Sequence, residues 1–180
     1  TLVMRFLRGT GSQGLAGILP VMGSIIRPLL LVRRSETEAY CAARGIVPVH
    51  DPSNAEDVYL RNHIRHHLMP ELGFYNPRLI EALGNLAETS RAENEWMDVA
   101  VTALLAEMAI ATDGGWWCAS KAFLAQHLAL QRRALRILAR RLGVEQELDF
   151  DHVDDLMGII YNDQTGTSID LPDGLTLWVE

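Results

Sequence analysis

The feature that most constrains the fold is a long stretch of apolar residues at helical spacing. Asn76-Pro77 opens the stretch, with Asn as a cap and Pro at the first helical position, and Asp113-Gly114-Gly115 ends it. The apolar positions recur as on one face of a helix: Leu79, Leu83, Leu86, Trp96, Val99, Ala103 and Leu104. The pattern predicts a helix over roughly 77–111, and therefore a mainly α-helical chain.

Apolar spacing and cap residues predict further helices on both sides of the long one. These helices cover 1–8, 35–44, 56–69, 120–126, 128–142 and 150–161. Ser35 is expected to cap the helix over 35–44, which Gly45 ends. Pro70 is expected to follow the end of the helix over 56–69.

Three short segments are predicted to be extended. Residues 25–32 form an apolar stretch that can be a buried strand or an extended segment, and 116–119 is predicted as a short strand. The chain ends in two short runs, 167–171 and 175–179, around Pro172-Asp173-Gly174. This arrangement is typical of a β-hairpin.

Composition indicates a folded protein without a membrane span. Of 180 residues, 48% are apolar and 22% are charged, which is too apolar for a disordered chain. No apolar run is long enough to cross a bilayer, because four Arg residues interrupt the N-terminal stretches. The two Cys residues exclude a disulfide scaffold, and no Cys-x-x-Cys metal pair exists. A cytoplasmic location is the default expectation.

The charges are unevenly distributed along the chain. Residues 1–70 carry eight Arg against five acids, a net charge of +3, whereas residues 71–180 carry a net charge of −10. A polyanion is therefore expected to meet the N-terminal part.

Residues 9–14 read Gly-x-Gly-x-x-Gly. A dinucleotide-binding interpretation needs a strand before the motif, and here a helix is predicted before it. Two interpretations stay open. The motif is either a helix end followed by a turn-rich loop, or a loop lining an active site, with Arg8 offering its guanidinium to a phosphate or carboxylate.

A second polar segment lies on the helix predicted over 56–69. Arg61 and Arg65 are one helical turn apart, and Asn62 and His66 share the neighbouring face. Two Arg with titratable His suit an RNA backbone, although a solvated polar face is the plain alternative. No residue completes a metal site with the nearby His side chains, so no metal ligands are predicted.

A third segment is a stripe of Arg132, Arg136 and Arg140 at four-residue spacing. It fits either an exposed face paired with acids on neighbouring helices or a nucleic-acid contact, with equal weight.

Seven short motifs occur in an order that resembles the tRNA(Ile)-lysidine synthase family. They are Arg8-Gly9-Thr10-Gly11, Gly14-Leu15-Ala16-Gly17, Ile26-Arg27-Pro28-Leu29, Arg34-Ser35-Glu36 with Tyr40, Asp51-Pro52-Ser53-Asn54, Leu60-Arg61-Asn62-His63-Ile64-Arg65-His66 with Pro70, and Asn76-Pro77. Leu130-Gln131-Arg132-Arg133 also looks like a helix start in the family's second domain. The resemblance is densest over 1–77.

The resemblance implies a fold and a division into domains. Residues 1–75 are expected to be the C-terminal remnant of a Rossmann-like α/β catalytic domain of the ATP-pyrophosphatase type. Residues 76–180 are expected to form a helical domain with a small β-hairpin that binds tRNA or substrate.

The resemblance also implies a reaction. Family members use ATP to join lysine to C2 of the wobble cytidine of tRNA(Ile), forming lysidine through an adenylated base. ATP with Mg²⁺, lysine and tRNA(Ile) are the implied ligands. The oligomeric state is left open, with a homodimer among the choices.

Site residues are carried over by position. Arg8 and Glu36 match residues implied in catalysis, and Arg8, Gly9 and Gly11 match the segment near ATP. The residues implied in tRNA binding or in shaping the site are Arg27, Asp51, Asn54, Arg61, Asn62, Arg65 and His66. A structural role stays open for several of these, with Asn54 as a helix cap and Arg65 paired to Asp51.

The sequence departs from the family pattern at the phosphate loop. The family's Ser-Gly-Gly-x-Asp-Ser motif, which supplies backbone N–H groups to phosphates, does not occur in these 180 residues. The chain is therefore expected to be a fragment that is inactive alone. The alternative is a non-catalytic helical RNA-binding or interaction module, and a plain helical scaffold is a third interpretation.

Overall fold

The computed structural model describes residues 1–49, 59–144, 148–162 and 165–180. Contacts divide the chain into two compact units, Thr1–Arg91 and Ala92–Glu180. The division predicted at residues 75 and 76 concerns domains of the family and stays a prediction.

The first unit consists of short helices and one small hairpin. Its helices are α1 (Leu2–Leu7), α2 (Ser12–Leu15), α3 (Arg34–Ala43), α4 (Leu60–His63), a π-helical turn (Ile64–Leu68) and α5 (Met69–Tyr75), and α6 (Leu79–Met108) begins in it. Its strands are β1 (Val21–Met22) and β2 (Ile25–Ile26), which pair antiparallel.

Two of the predicted helix ends lie where glycine was expected to place them. Gly9 follows α1 with a φ of 77°, and Gly45 follows α3 with a φ of 65°. Glycine adopts this left-handed conformation without the steric cost that a Cβ would add. The start of α3 differs from the prediction, because Arg33 and not Ser35 occupies the N-cap position.

Of the two alternatives left open for residues 25–32, a buried strand or an extended segment, the buried strand is wrong. Only Ile25–Ile26 is a strand, and it pairs with two residues, so the hairpin is too small to bury a face. Ile26 is 71% exposed and Leu31 is 91% exposed. Apolar composition alone could not distinguish this exposed segment from a core strand.

Pro70 does not end the helix that precedes it, which corrects a second prediction. The helical chain runs from Leu60 through the π turn and Pro70 to Tyr75. At the end of the π turn, the Met69 N–H donates to the carbonyl of Ile64, five residues earlier. The wider π turn accommodates a proline that an ordinary α-helical turn would exclude.

The second unit begins within α6 and continues with small sheets and three further helices. Its elements after α6 are β3 (Ala109–Thr112), β4 (Gly115–Cys118), α7 (Ser120–Leu124), α8 (Leu128–Arg141), α9 (Phe150–Asn162), β5 (Ser168–Asp170) and β6 (Thr176–Trp178). Both strand pairs are antiparallel hairpins. The C-terminal hairpin is as predicted, whereas α6 ends at Met108 because the chain turns there into β3.

A single apolar cluster holds the second unit together. Its buried members are Val101, Leu105, Phe123, Ala134, Leu135, Ile137, Ala139, Val144, Leu148, Val153, Leu156, Met157 and Ile160. They come from α6, α7, α8 and α9 and from the connections between them, so each of these helices contributes one face. In the described part of the first unit, by contrast, the buried apolar side chains are those of Ala16, Ile64 and Ala87.

The mainly α-helical fold class is confirmed, with small antiparallel sheets as the only β structure in the described ranges. Each sheet has two strands. Sheets of this size do not identify a Rossmann-like domain, and the α/β remnant expected in 1–75 stays a prediction. Within the described residues, no helix is long and apolar enough to cross a membrane.

Candidate functional site

The Gly-rich motif lies at the end of α1. The segment 8–17, which includes the short helix α2, is called the glycine loop. The Gly9 N–H donates to the Phe6 carbonyl at 3.0 Å, and the Thr10 N–H donates to the Arg5 carbonyl at 3.2 Å. These two bonds are the Schellman pattern that closes a helix. A helix precedes the motif, so the strand that a dinucleotide-binding fingerprint needs is not before it.

Arg5 joins the end of α1 to the far side of this loop. Its Nη1 donates to the carbonyl of Gly14 at 3.0 Å and to the carbonyl of Gly17 at 2.9 Å. Arg91 reaches the same loop, since its Nη2 donates to the carbonyl of Ala16 at 3.4 Å. The loop is thus held by side chains from two different helices.

The residues expected near ATP lie in the solvent-exposed part of the glycine loop. Arg8 is exposed at the end of α1, and Gly9 and Gly11 are exposed beside it. A Cβ built on either glycine meets no atom within 4 Å, so a ligand has room to approach the backbone there. An arginine beside exposed backbone suits an anion such as phosphate.

Glu36 has a structural partner at the start of α3. The Arg33 backbone N–H donates to Glu36 Oε2 at 2.6 Å, so the carboxylate caps the helix from its first turn. Arg27 also has a local partner, because its Nη1 donates to the carbonyl of Leu19 at 3.0 Å. Neither bond tests the catalytic role expected of Glu36 or the tRNA contact expected of Arg27.

Helix α4 and the π turn, residues 60–68, are called the Arg-rich helix. It exposes some of the predicted residues to solvent and buries another. Arg61, Arg65 and His66 are exposed, whereas Asn62 is 8% exposed. The burial of Asn62 favours a role in packing, and its contact with tRNA stays a prediction.

Asp51 and Asn54 lie outside the described residues, and so does the expected pairing of Asp51 with Arg65. His63 and His67 stack with their ring centroids 4.7 Å apart. Among the residues that the structure describes, no three His, Cys, Asp or Glu side chains come together in a group that could hold a metal ion.

The Arg stripe of α8 pairs with an acid in part. Arg132 Nη2 lies 2.8 Å from Asp154 Oδ1 of α9, and its guanidinium lies over the Phe150 ring at 4.7 Å. Arg136 donates to the Leu148 carbonyl at 3.2 Å. Arg140 is exposed. The interpretation as a face paired with acids therefore holds for Arg132.

Sequence reasoning missed Arg5, which organises the candidate site. It lies three residues before Arg8, on the helix that leads into the glycine loop. The available signal was weak. It consists of one cation on an otherwise apolar helix, followed by glycines, which have no side chain to cover their own carbonyls. Such a pattern does not say which carbonyls the guanidinium will reach.

The part of the chain that holds the candidate site is similar to a known domain family. Residues 1–72 match the PP-loop domain family. The match includes α1, the glycine loop, α3 and the Arg-rich helix, and so contains every site residue proposed from the sequence.

Comparison with individual proteins extends over most of the chain. A tRNA(Ile)-lysidine synthase of Solibacter usitatus is 40% identical over 157 residues, which cover 86% of this chain and 36% of that protein. Proteins of the same name from Geobacillus kaustophilus and Geobacter sulfurreducens are 36% and 34% identical and cover 97% and 96% of the chain. The resemblance seen in the motifs is thereby confirmed. The chain spans 36% to 39% of the length of these relatives.

Proposed function

We infer that this chain belongs with the tRNA(Ile)-lysidine synthases, and its proposed function follows from that membership. The chain takes part in ATP-dependent modification of a tRNA. In finer terms, lysine is ligated to C2 of the wobble cytidine of tRNA(Ile) through an adenylated base. Mg²⁺ accompanies ATP, and the reaction takes place in the cytoplasm. A homodimer is the oligomeric state to test by light scattering.

The observation that carries the proposal is the exposed Arg8 beside the uncovered backbone of Gly9 and Gly11. ATP supplies the activating adenylyl group, and the charge on its phosphates must be stabilised as the pyrophosphate leaves. A guanidinium at a helix end can make paired hydrogen bonds to phosphate oxygens. The two glycines let those phosphates approach the main chain.

Glu36 is proposed to orient the lysine amine. A carboxylate has about four acceptor positions, so the bond from the Arg33 N–H leaves acceptor capacity on the same group. An ammonium group is the natural partner for that capacity. Because α3 fixes the carboxylate at its first turn, the amine would meet a rigid acceptor.

The tRNA is proposed to lie against the Arg-rich helix. Arg61 and Arg65 are exposed one turn apart, in the part of the chain that carries the net charge of +3. Phosphate contacts of this kind position an RNA without reading its sequence. The acidic remainder of the chain would repel RNA and so help to confine it to this face.

The experiment is ATP- and tRNA-dependent incorporation of labelled lysine. It compares these 180 residues with the longest reading frame that contains them. We expect activity in the longer protein and none in the 180 residues alone, because no Ser-Gly-Gly-x-Asp-Ser loop occurs in them. Arg8→Ala should lower kcat/KM by about a hundredfold or more in the longer protein. Arg78→Ala is the matched control, since Arg78 pairs only with the exposed Glu81 among the described residues.

The competing function is a non-catalytic RNA-binding module. It predicts tRNA retention by the longer protein without lysine incorporation, and an effect of Arg61→Ala and Arg65→Ala on binding alone. A protein that neither incorporates lysine nor retains tRNA would refute both functions and leave a helical scaffold.

A further inference from the structure

We propose that Arg5 is the positioning residue of the candidate ATP site, acting by closing the glycine loop that carries Arg8, Gly9 and Gly11. The proposal rests on the proposed function, because the loop matters for catalysis only if ATP binds there. The Arg5 guanidinium donates to carbonyl groups of the protein, so its proposed role is to position the loop.

The main chain of Arg5 holds the near end of the loop. Its carbonyl accepts hydrogen bonds from the Arg8 N–H at 3.1 Å and from the Thr10 N–H at 3.2 Å. The backbone that carries the candidate catalytic guanidinium is therefore fixed relative to Arg5.

The side chain of Arg5 holds the far end of the same loop. One nitrogen, Nη1, donates to the Gly14 carbonyl at 3.0 Å and to the Gly17 carbonyl at 2.9 Å. A guanidinium Nη carries two hydrogens, so each carbonyl can receive one of them. The Gly14 and Gly17 carbonyls, nine and twelve residues after Arg5, thus bind one nitrogen atom of a side chain of α1.

Close packing between these ends leaves the loop little freedom. A Cβ on Gly14 would lie 1.7 Å from Thr10 Oγ1, so only glycine fits there. A Cβ on Gly17 would lie 3.6 Å from both Leu2 Cδ1 and Ala87 Cβ, and Gly17 has a φ of 71°. The two Arg5 bonds therefore close a loop that is already packed against itself.

A small displacement of such a loop is expected to reach Arg8. Catalytic groups act only within a narrow range of positions, and an error of about 1 Å can cost a hundredfold in rate. Loss of the Arg5 guanidinium would release the Gly14 and Gly17 carbonyls and leave the longer Arg91 bond to the Ala16 carbonyl as the side-chain anchor described at the far end of the loop. Arg5 is thus proposed to set the position of Arg8 relative to ATP.

The test is Arg5→Met in the longest reading frame, with Arg78→Ala as the matched control. Methionine keeps the length of the side chain and removes both hydrogen bonds. We expect the KM for ATP to rise and kcat/KM for ATP to fall about tenfold to a hundredfold, with the KM for tRNA unchanged. A partly unfolded enzyme would instead lose apparent kcat with both KM values unchanged, and that result would overturn the proposal.

Two further measurements keep the outcome decisive. Added guanidinium at a concentration that does not denature the enzyme should partly restore the activity of Arg5→Ala and leave that of Arg78→Ala unchanged, and an Arg5→Ala enzyme that shows no restoration would contradict the proposal. Hydrogen exchange of residues 10–17 in the 180-residue chain should accelerate in Arg5→Met and not in Arg78→Ala. Faster exchange with unchanged ATP kinetics would refute the positioning role and leave the proposed function intact. A wild-type enzyme without activity would refute both.

Discussion

At the scale of single residues, Gln131 shows how a buried amide organises the second unit. It is 2% exposed, and the two hydrogens of its Nε2 are shared among the carbonyls of Phe123, Leu124 and Gln126 at 3.2, 3.1 and 2.8 Å. Its Oε1 accepts from the Tyr161 hydroxyl at 3.2 Å. One side chain therefore satisfies the carbonyls at the end of α7 and ties α8 to α9.

Gln131→Met is predicted to destabilise the protein by about 1–3 kcal/mol. Methionine has a similar volume, but it removes the donor to the part-buried carbonyls of Leu124 and Gln126, which costs their desolvation. The measurement is urea unfolding followed by circular dichroism. Gln126→Met is the matched control, because the Gln126 side chain makes an exposed bond to the Ala122 carbonyl and should change stability by less than about 0.5 kcal/mol. Equal shifts in the two variants would contradict the prediction.

Asp149 is predicted to make stability depend on pH in the acid range. The hydrogen bond from the His152 backbone N–H lowers the pKa of the Asp149 carboxyl below its usual value of about 3.8. A lowered pKa means that the stabilisation is complete above the pKa of the unfolded chain and is lost as pH falls through the folded pKa. The wild type should therefore lose stability below about pH 4 relative to Asp149→Asn.

Asp149→Asn keeps an acceptor for the start of α9 but cannot titrate, which makes it the appropriate reference. The measurement is the denaturant midpoint at a series of pH values. Parallel pH curves for the two proteins would show that this carboxylate contributes no pH-dependent stability. Asp151→Asn, in the same turn and exposed, serves as the control for a change in net charge.

At the scale of elements, the π turn of Ile64–Leu68 separates two short helices that share one run of chain. It ends at Leu68, two residues before Pro70, and its side chains include Arg65 and His66, which are proposed to contact RNA. The extra residue in the turn rotates α4, which precedes it, relative to α5, which follows it. The π turn thus sets the direction in which the Arg-rich face points.

Pro70→Ala is predicted to convert the π turn to ordinary α-helix. The substitution supplies an N–H at position 70 and removes the ring that would clash with the carbonyl four residues earlier. We expect the new amide to donate to the His66 carbonyl, which a hydrogen-bond scalar coupling in NMR identifies. A bond to the Arg65 carbonyl instead would mean that the π turn is stable without proline. Affinity for tRNA should fall in step with the conversion.

The elements also show what the sequence could and could not predict. The long helix and the C-terminal hairpin follow from local signals, namely apolar spacing, Asn76-Pro77 and the Pro172-Asp173-Gly174 turn. Residues 25–32 have the composition of a core strand, but whether they are buried depends on partners far away in the chain. The candidate site shows the same limit: the motifs identified Arg8, whereas the carbonyls that Arg5 reaches depend on how the loop folds back.

At the scale of the whole molecule, burial is concentrated in one of the two units. All thirteen members of the buried cluster lie after residue 91, whereas the described part of the first unit buries three apolar side chains. Because burial of apolar surface is the main stabilising contribution to folding, the second unit holds most of the stability that the described residues account for.

The segment 92–180 is predicted to fold on its own. The buried members of its core in the described residues all lie after residue 91, so it should show a cooperative thermal transition by circular dichroism. Leu105→Ala should lower its stability by about 2–5 kcal/mol, because Leu105 is fully buried in that core. The segment 1–91 made alone should melt without a clear transition. A cooperative transition in 1–91 and none in 92–180 would reverse the assignment.

The exposed apolar segment at 25–32 has a consequence for how the protein is made. Synthesis runs from the N-terminus, so Ile26 and Leu31 leave the ribosome long before the residues of the buried cluster have been added. During that interval these apolar side chains are exposed before the buried cluster has formed. Ribosome-bound chaperones are therefore expected to crosslink to this stretch, and replacing Ile26 and Leu31 with polar residues should raise the soluble yield.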